Sequence, residues 1–198
     1  MTVDNFEIIN VLLNFDKPNS FYFLQILQRR KENLELPTNS KVINNYYLYT
    51  REDLFKLRDR IIEDCQKYNA RAYINVNVLD LEKIGMFTVQ KILDLIIKKD
   101  FKSIKNAYPS VCGSHHSEEN KRWVVDIDTK DIYFISNVKK EIEKLHSEIK
   151  NNKYKILIEL PTRHGLHLIS NPFRLDKFKD LFPDVTVQKN SPTLLYIP

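Results

Sequence analysis

Glycine and cysteine are scarce in this sequence, and each scarcity excludes a class of protein. Only 3 of the 198 residues are glycine and 8 are proline, which excludes a collagenous or linker-like chain. The 2 cysteines, Cys65 and Cys112, are too few for a disulfide framework. We therefore expect a protein of a reducing compartment, with the cytoplasm as its default location.

Long apolar runs are also missing. The amino-terminal segment up to Phe15 carries Asp4 and Glu7 and lacks the basic start and apolar run of a signal peptide. Charged residues interrupt every later apolar stretch well short of a membrane span. We expect a soluble protein without a membrane segment.

The composition indicates a folded protein with a mild preference for a polyanionic partner. Hydrophobic residues make up 42% of the chain and charged residues 29%, which argues against disorder, and the length fits one domain or two small lobes. The 31 Lys and Arg exceed the 26 Asp and Glu, so the formal charge is +5. That surplus fits a nucleic-acid partner and fits a lysine-rich solvated surface equally well.

Hydrophobic periodicity predicts alternating strands and helices in the first part of the chain. Strands are predicted at 21–28, 42–49 and 71–78, and helices at 50–69 and 81–99. Residues 106–120 show no period and contain proline, glycine and serine, so we predict a loop there. Its Cys112, His115 and His116 are zinc-ligand types, but a closed site needs a fourth ligand, and a plain polar loop is the alternative.

From residue 122 onward the pattern predicts the order β-α-β-β-α-β. The predicted elements are strands at 122–128, 155–160 and 166–170, a helix capped by Ser136, a short helix at 175–181, and closing strands at 185–187 and 193–197. This order is that of the ferredoxin-like unit also found in RNA-recognition modules. We therefore predict an α+β protein in which a ferredoxin-like unit, residues 121–198, packs against a mixed α/β lobe, residues 1–120, within one compact domain.

The first of three motifs in this unit is a pair of carboxylates on a predicted strand. In Val124-Val125-Asp126-Ile127-Asp128, alternate residues point to the same side, so Asp126 and Asp128 share one face. Two carboxylates held that close repel unless a divalent cation lies between them or solvent surrounds the strand end. The motif therefore indicates either a metal site or a solvated strand end.

The second motif crosses a predicted hairpin turn. Gly165 allows a positive φ or the close approach of a ligand to the backbone, and His167 falls on the face opposite its two leucine neighbours. A histidine and an arginine beside an open glycine turn suit a phosphate group, which accepts hydrogen bonds from both. A hairpin with incidental basic residues is the alternative.

The third motif lies near the end of the sequence, where Asp184 opens a predicted strand and Lys189 projects from its far end. Taken in order, the three motifs resemble those of the archaeo-eukaryotic primase superfamily, which includes primase small subunits and primase-polymerases. The match covers residues 122–198. The resemblance implies metal-dependent, template-directed synthesis of nucleic acid from nucleoside triphosphates, with Mg²⁺ or Mn²⁺ as the cation.

The resemblance also implies roles for individual residues. The implied catalytic and metal-binding set is Asp126, Asp128 and Asp184. The implied nucleotide-binding set is Arg163, His164, Gly165, His167 and Lys189, in which His167 contacts the phosphates of the incoming nucleotide.

Two positions depart from the family pattern. Pro161-Thr162-Arg163 stands where a serine-glycine pair usually precedes Gly-x-His. Under a shifted register, Asn190 would occupy the position given to Asp184, and the metal site would then lack one carboxylate.

Two other functions stay open at this level. One is a non-catalytic nucleic-acid-binding module of the same fold with a decayed metal site, and the other is a metal-dependent nuclease, since carboxylate metal sites also serve hydrolysis. The candidates for template contact are Arg29, Arg30, Arg71 and Lys121, and those for base stacking are Tyr46, Tyr47, Tyr73 and Trp123. The implied partners are a nucleic-acid template or primer, nucleoside triphosphates, and a helicase or other replication protein acting in trans.

Overall fold

The computed structural model describes residues 2–115, 121–145 and 154–198, and within these ranges the chain forms ten β-strands and six α-helices. The strands are β1 Val3–Asp4, β2 Ser20–Arg29, β3 Ser40–Leu48, β4 Arg71–Asn75, β5 Leu79–Asp80, β6 Trp123–Ile127, β7 Ile156–Pro161, β8 Leu166–Ser170, β9 Thr186–Gln188 and β10 Pro192–Ile197. The helices are α1 Phe6–Leu12, α2 Arg51–Lys67, α3 Leu81–Ile97, α4 Ala107–Ser114, α5 Ile132–Lys144 and α6 Leu175–Leu181. A 3₁₀-helix, Phe101–Asn106, lies between α3 and α4.

The strands form two antiparallel sheets. The first sheet has the order β1-β10-β4-β2-β3, with β5 also paired to β2. The second sheet has the order β7-β8-β6-β9. The prediction of a mixed α+β protein is therefore confirmed.

The last strand, β10, leaves the carboxyl-terminal unit and enters the first sheet. It pairs with β4, where Leu194 lies opposite Tyr73, and with β1, where Ile197 lies opposite Val3. The chain on either side of residue 120 thus contributes strands to the same sheet. Residues of β4, β6, β8 and β10 meet around one cavity.

The three largest apolar clusters follow from the alternation of side chains along the strands. The largest joins the first sheet, α1 and α2 to one face of the second sheet, through residues such as Val124, Leu160 and Ile169. Val125 and Ile127 point the other way, into a cluster with α5 and α6. A third cluster lies between the first sheet and the α3–α4 pair. Asp126 shares the parity of Val124 and so faces the first sheet.

Most predicted strands and helices are confirmed within a few residues. Aspartate side chains fix where two of the helices begin. The carboxylate of Asp53 in α2 accepts hydrogen bonds from the main-chain N–H groups of Tyr49 and Thr50, both at 2.9 Å. The carboxylate of Asp80 accepts one from Lys83 at 3.1 Å and begins α3. Both contacts supply partners for donors that a helix start leaves open.

Two sequence predictions are wrong. Residues 107–114 form α4 rather than a loop, because Pro109 lies in the first turn, where its missing N–H costs nothing, and Val111 and Cys112 are buried. Residues 116–120 of the predicted loop lie outside the described residues. The helix α5 begins at Ile132 rather than at Ser136. The carboxylate of Asp131 caps it by accepting hydrogen bonds from the main-chain N–H groups of Tyr133 and Phe134.

Among the residues that the structure describes, no helix combines the length and the apolar character needed to cross a bilayer.

Candidate active site

A cavity of about 540 Å³ lies where the two sheets meet. One wall comes from the first sheet and the loop after β2, and the other from β6, β8 and the β7–β8 hairpin. The charged and titratable lining residues are Arg29, Lys31, Glu32, Arg71, Asp126, Asp128, Arg163, His164 and His167. Four cationic side chains thus face three carboxylates, which leaves a surplus of one positive charge before the histidines are considered.

The two carboxylates of the first motif share this cavity. Asp126 lies in β6 opposite His167 of β8 and Thr186 of β9, and its side chain is 25% exposed. Asp128 follows the end of β6 and is exposed. The prediction that they share a face is confirmed, because Val125 and Ile127 are buried on the other side.

His167 is held from both sides of its ring. Its Nε2 lies 3.2 Å from Oδ1 of Asp126, and its Nδ1 lies 2.8 Å from the hydroxyl of Thr193. Thr193 belongs to β10 and is completely buried. The imidazole therefore links the second sheet to the first, and two protein contacts define the plane of its ring.

The hairpin between β7 and β8 packs tightly against the end of β6. The N–H of Thr162 donates to the carbonyl of Gly165, and the N–H of Gly165 donates to the hydroxyl of Thr162, both at 3.0 Å. A Cβ at Gly165 would lie 1.8 Å from the carbonyl oxygen of Ile127. The φ of Gly165 is not positive, so the turn requires glycine because the protein's own backbone fills the space beside it.

Arg163 and His164, at the tip of this hairpin, both line the cavity. The guanidinium of Arg163 donates to the main-chain oxygen of Pro198, which anchors the hairpin to the residue after β10. His164 is exposed. The structure therefore brings Arg163, His164 and His167 to the same cavity as the two carboxylates.

The two charged residues of the third motif, Asp184 and Lys189, are not among the cavity-lining residues, although Gln188 between them is. Asp184 is exposed in the turn between α6 and β9 and is not among the lining residues. Lys189 lies with its Nζ 5.0 Å from the ring centroid of Trp123. Asn190 lines a separate small pocket beside Asn75 and Asn77. Within the described ranges, no three acidic, histidine or cysteine side chains are grouped closely enough to hold a metal ion by themselves.

The first sheet adds residues that sequence reasoning only partly identified. Arg71 lies beside Tyr73 and pairs with Glu32. Burial disfavours the charge of Arg71, but Tyr73 and Glu32 outweigh this effect and raise its pKa. Lys31, Glu32 and Thr193 were missed. Thr193 ends a polar segment directly before the apolar run Leu194–Ile197, and nothing in the neighbouring residues distinguishes it from Asn190 or Ser191.

Three of the eight candidates for template contact and base stacking line the cavity, and the other five do not. Arg29, Arg71 and Tyr73 line the cavity, whereas Arg30 and Lys121 are exposed outside its lining. The other three aromatic candidates are held within the fold: Tyr46 donates to the carboxylate of Asp64, Tyr47 packs in a ring cluster with Phe23 and Tyr108, and Trp123 is buried.

The described part of the zinc candidate also lies within the fold. Cys112 is completely buried, and burial raises the pKa of its thiol to about 12. The ring of His115 stacks on Phe87 with centroids 3.7 Å apart. His116 lies outside the described residues. Because the thiolate is the form that binds metal, the surroundings of Cys112 disfavour a zinc site there.

No protein-family model, curated protein or solved structure matches this chain.

Proposed function

We propose that this protein is a primase-like or primase-polymerase-like nucleotidyltransferase that uses nucleoside triphosphates and Mg²⁺ or Mn²⁺ on a nucleic-acid template. One observation carries the proposal: Asp126 and Asp128 line the same cavity as Arg163, His164 and His167. Carboxylates that attract a cation thus stand beside basic groups that attract phosphates. Phosphoryl transfer needs both in one place.

The carboxylate pair fits a hard divalent cation. Mg²⁺ prefers oxygen ligands and is commonly held by one or two carboxylates together with substrate phosphates and water. Asp126 is partly exposed and Asp128 is exposed, and both carboxylates line the cavity. When bound, the cation would polarise the reacting phosphate and neutralise charge on the leaving pyrophosphate.

The basic residues of the cavity fit the triphosphate. Arg163 and His164 approach from the hairpin, and Arg29 and Arg71 approach from the first sheet. Guanidinium groups bind phosphate oxygens with two parallel hydrogen bonds, so these side chains would hold the triphosphate in line for attack. The size of the cavity, about 540 Å³, lies within the usual range for small-molecule sites.

His167 stands between the carboxylate pair and Thr193 of the first sheet. We assign it two tasks: its contact with Asp126 orients that carboxylate, and its Nε2 is the ring atom positioned to exchange this contact for a phosphate oxygen. The hydrogen bond at Nδ1 keeps the ring plane constant during that exchange.

The arrangement of the second unit supports this assignment. The elements run β6-α5-β7-β8-α6-β9 along the chain, and their strands have the spatial order β7-β8-β6-β9 with antiparallel neighbours. We interpret this as a ferredoxin-like, RNA-recognition-type unit. A cytoplasmic protein with access to nucleoside triphosphates fits the same function.

A template-dependent incorporation assay tests the proposal. The wild-type protein is incubated with Mn²⁺, labelled nucleoside triphosphates and a primed or unprimed template, and Asp126→Asn is compared with Asp180→Asn, an exposed carboxylate on α6 outside the cavity. We expect labelled products from the wild type and Asp180→Asn, and none from Asp126→Asn. A wild type without products, or one that Asp126→Asn equals, contradicts the proposal.

One observation favours a second candidate, a non-catalytic nucleic-acid-binding module. Asp184 is not among the cavity-lining residues, while four cationic side chains remain. Such a module would bind nucleic acid with steep salt dependence, and Asp126→Asn would leave that affinity unchanged or raise it. A labelled strand shortened in the absence of triphosphates would instead indicate a nuclease.

A further inference from the structure

Helix α3 carries a second, outer apolar face that the described fold leaves uncovered. Its inner side packs on α4 and the 3₁₀-helix, with Ile84 buried and Ile92 and Leu95 half-buried. We call the outer face the α3 stripe. It consists of Met86, Val89, Leu93, Ile96 and Ile97, whose exposed fractions are 68%, 60%, 54%, 43% and 78%.

The spacing of the α3 stripe is that of a helix-pairing seam. Met86, Val89, Leu93 and Ile96 are separated by three, four and three residues, which places them in one line along an α-helix. A helix that is apolar on opposite faces is normally buried on both. A contiguous exposed apolar line therefore marks an interaction surface.

The carboxyl-terminal end of the α3 stripe is strongly basic. The exposed lysines there are Lys98, Lys99, Lys102 and Lys105, and none of them forms an ion pair with another residue that the structure describes. Asp94 and Asp100 offset part of this charge, and the end stays positive. A partner that buries the stripe gains affinity and speed of association by bringing carboxylates to these lysines.

A second copy of α3 does not offer that complementarity. Parallel pairing would bring the two lysine-rich ends together. Antiparallel pairing would place each lysine-rich end at the positively polarised start of the other helix, where Lys83 balances Glu82 and Lys17 lies 3.4 Å from Asp80. Both orientations set positive charge against a neutral or positive surface.

A bilayer surface fits less well than a helix. Interfacial membrane helices combine one broad apolar face with a strongly polar one and low overall hydrophobicity. Ten of the seventeen residues of α3 are hydrophobic, and its outer residues form a narrow line beside Gln90 and Asp94. A narrow line of this kind is typical of a seam between two helices.

We propose that the α3 stripe is the docking surface for an acidic amphipathic helix of a partner protein. The partner helix presents apolar side chains at the first and fourth positions of each heptad, and it presents carboxylates where it meets Lys98 and Lys102. This surface is separate from the cavity that holds Asp126, and the proposal does not depend on nucleotidyl transfer.

The probe is a dye-labelled synthetic peptide of three heptads, with leucine at positions a and d and glutamate and alanine elsewhere. Fluorescence anisotropy measures its binding to the full-length protein. We expect Leu93→Gln to weaken binding by about tenfold or more. Val11→Gln, at a residue that is 76% exposed on α1, is the matched control and should bind as the wild type does.

Charge reversal tests the basic end separately. Lys98→Glu combined with Lys102→Glu should weaken binding by about tenfold at low salt and remove most of its salt dependence. Lys140→Glu, an exposed lysine on α5, should leave binding unchanged. Circular dichroism checks that each variant keeps the wild-type helix content.

Four outcomes overturn the proposal. The first is a failure of the acidic peptide to bind, and the second is equal binding of a peptide with the same composition in scrambled order. The third is a dimer in sedimentation experiments that Leu93→Gln dissolves, which assigns the stripe to a second copy. The fourth is binding to phosphatidylcholine–phosphatidylglycerol vesicles that Leu93→Gln abolishes, which assigns it to a bilayer.

Discussion

The Nε2 atom of His167 lies 3.2 Å from Oδ1 of Asp126, directly across the antiparallel pair of β6 and β8. The other ring nitrogen contacts Thr193, which belongs to the first sheet. One side chain thus connects the carboxylate proposed to hold a cation with a buried hydroxyl on the opposite wall of the cavity. The position of this imidazole depends on how the two sheets pack.

Thr193 should act as a positioning residue for His167. Thr193→Val keeps the shape of the side chain and removes the hydrogen bond to Nδ1, so we expect a loss of about 1 kcal/mol in the free energy of unfolding. A less oriented imidazole should raise the KM for nucleoside triphosphate about tenfold, with a smaller change in kcat. Steady-state incorporation kinetics measure both.

Thr193→Ser is the matched control because it keeps the hydroxyl. It should restore the KM for nucleoside triphosphate toward the wild-type value. A purely structural role would make the two variants equally active per folded molecule, and that result would contradict the assignment.

Gly165→Ala should destabilise the protein because the added methyl group has no space. A Cβ there would lie 1.8 Å from the Ile127 carbonyl oxygen and 2.8 Å from the Thr129 nitrogen. Moving the hairpin away from β6 to relieve this overlap should cost about 1–3 kcal/mol. Urea unfolding followed by tryptophan fluorescence measures the change.

Gly85→Ala is the control for this substitution. Gly85 lies inside α3, and a Cβ there meets nothing within 4 Å, so the change should stabilise the protein by about 0.5–1 kcal/mol. Equal effects of the two alanines would refute the close approach of Gly165 to β6.

Asp80 should stabilise the start of α3 in a pH-dependent way. The hydrogen bond from the Lys83 N–H, together with the nearby Lys17, lowers the pKa of Asp80 below its ordinary value despite some desolvation. A carboxylate with a lowered pKa contributes stability above its unfolded-state pKa and loses it as the pH falls through the folded-state pKa. Asp80→Ala should therefore cost about 1 kcal/mol at pH 7 and less in acid.

Asp80→Asn separates the charge from the hydrogen bond. Asparagine keeps an oxygen that accepts from the Lys83 N–H and does not titrate, so the stability difference between Asp80→Asn and Asp80→Ala should stay constant with pH. Urea midpoints measured at neutral and acidic pH give this comparison. A constant difference between the wild type and Asp80→Ala would contradict the prediction.

Both cysteine thiols should be unreactive in the folded protein. Cys65 and Cys112 are completely buried, and burial raises the pKa of each to about 12, so the reactive thiolate is rare at pH 8. We expect iodoacetamide to label neither in native buffer and both in denaturant. Rapid native labelling of Cys112, read by mass spectrometry, would indicate an open α4.

Local periodicity accounts for the parts of the site that could be predicted. The alternation of Val125 and Ile127 with Asp126 and Asp128 assigned the carboxylates to one face, because consecutive residues of a strand point in opposite directions. The same rule separated His167 from the leucines beside it. Both conclusions need only a few consecutive residues.

The prediction failed where contacts between distant residues decide the structure. The segment of α4 contains proline and glycine, yet burial of Val111 and Cys112 against the first sheet makes it a helix. Asp184 opens a segment that resembles a motif, but its place in a turn leaves it outside the cavity lining. Neither outcome is encoded within the neighbouring residues alone.

The amino-acid order by itself determined the mixed strand and helix content, the shared face of Asp126 and Asp128, and the hairpin that carries Arg163 and His164. Only the tertiary structure decided that β10 joins the first sheet, that Thr193 contacts His167, and that the walls of the cavity come from both sheets. The physical reason is the distance along the sequence over which each interaction acts. Side-chain alternation acts within a strand, whereas the pairing of β10 with β4 joins residues more than a hundred positions apart, through burial that no local pattern records.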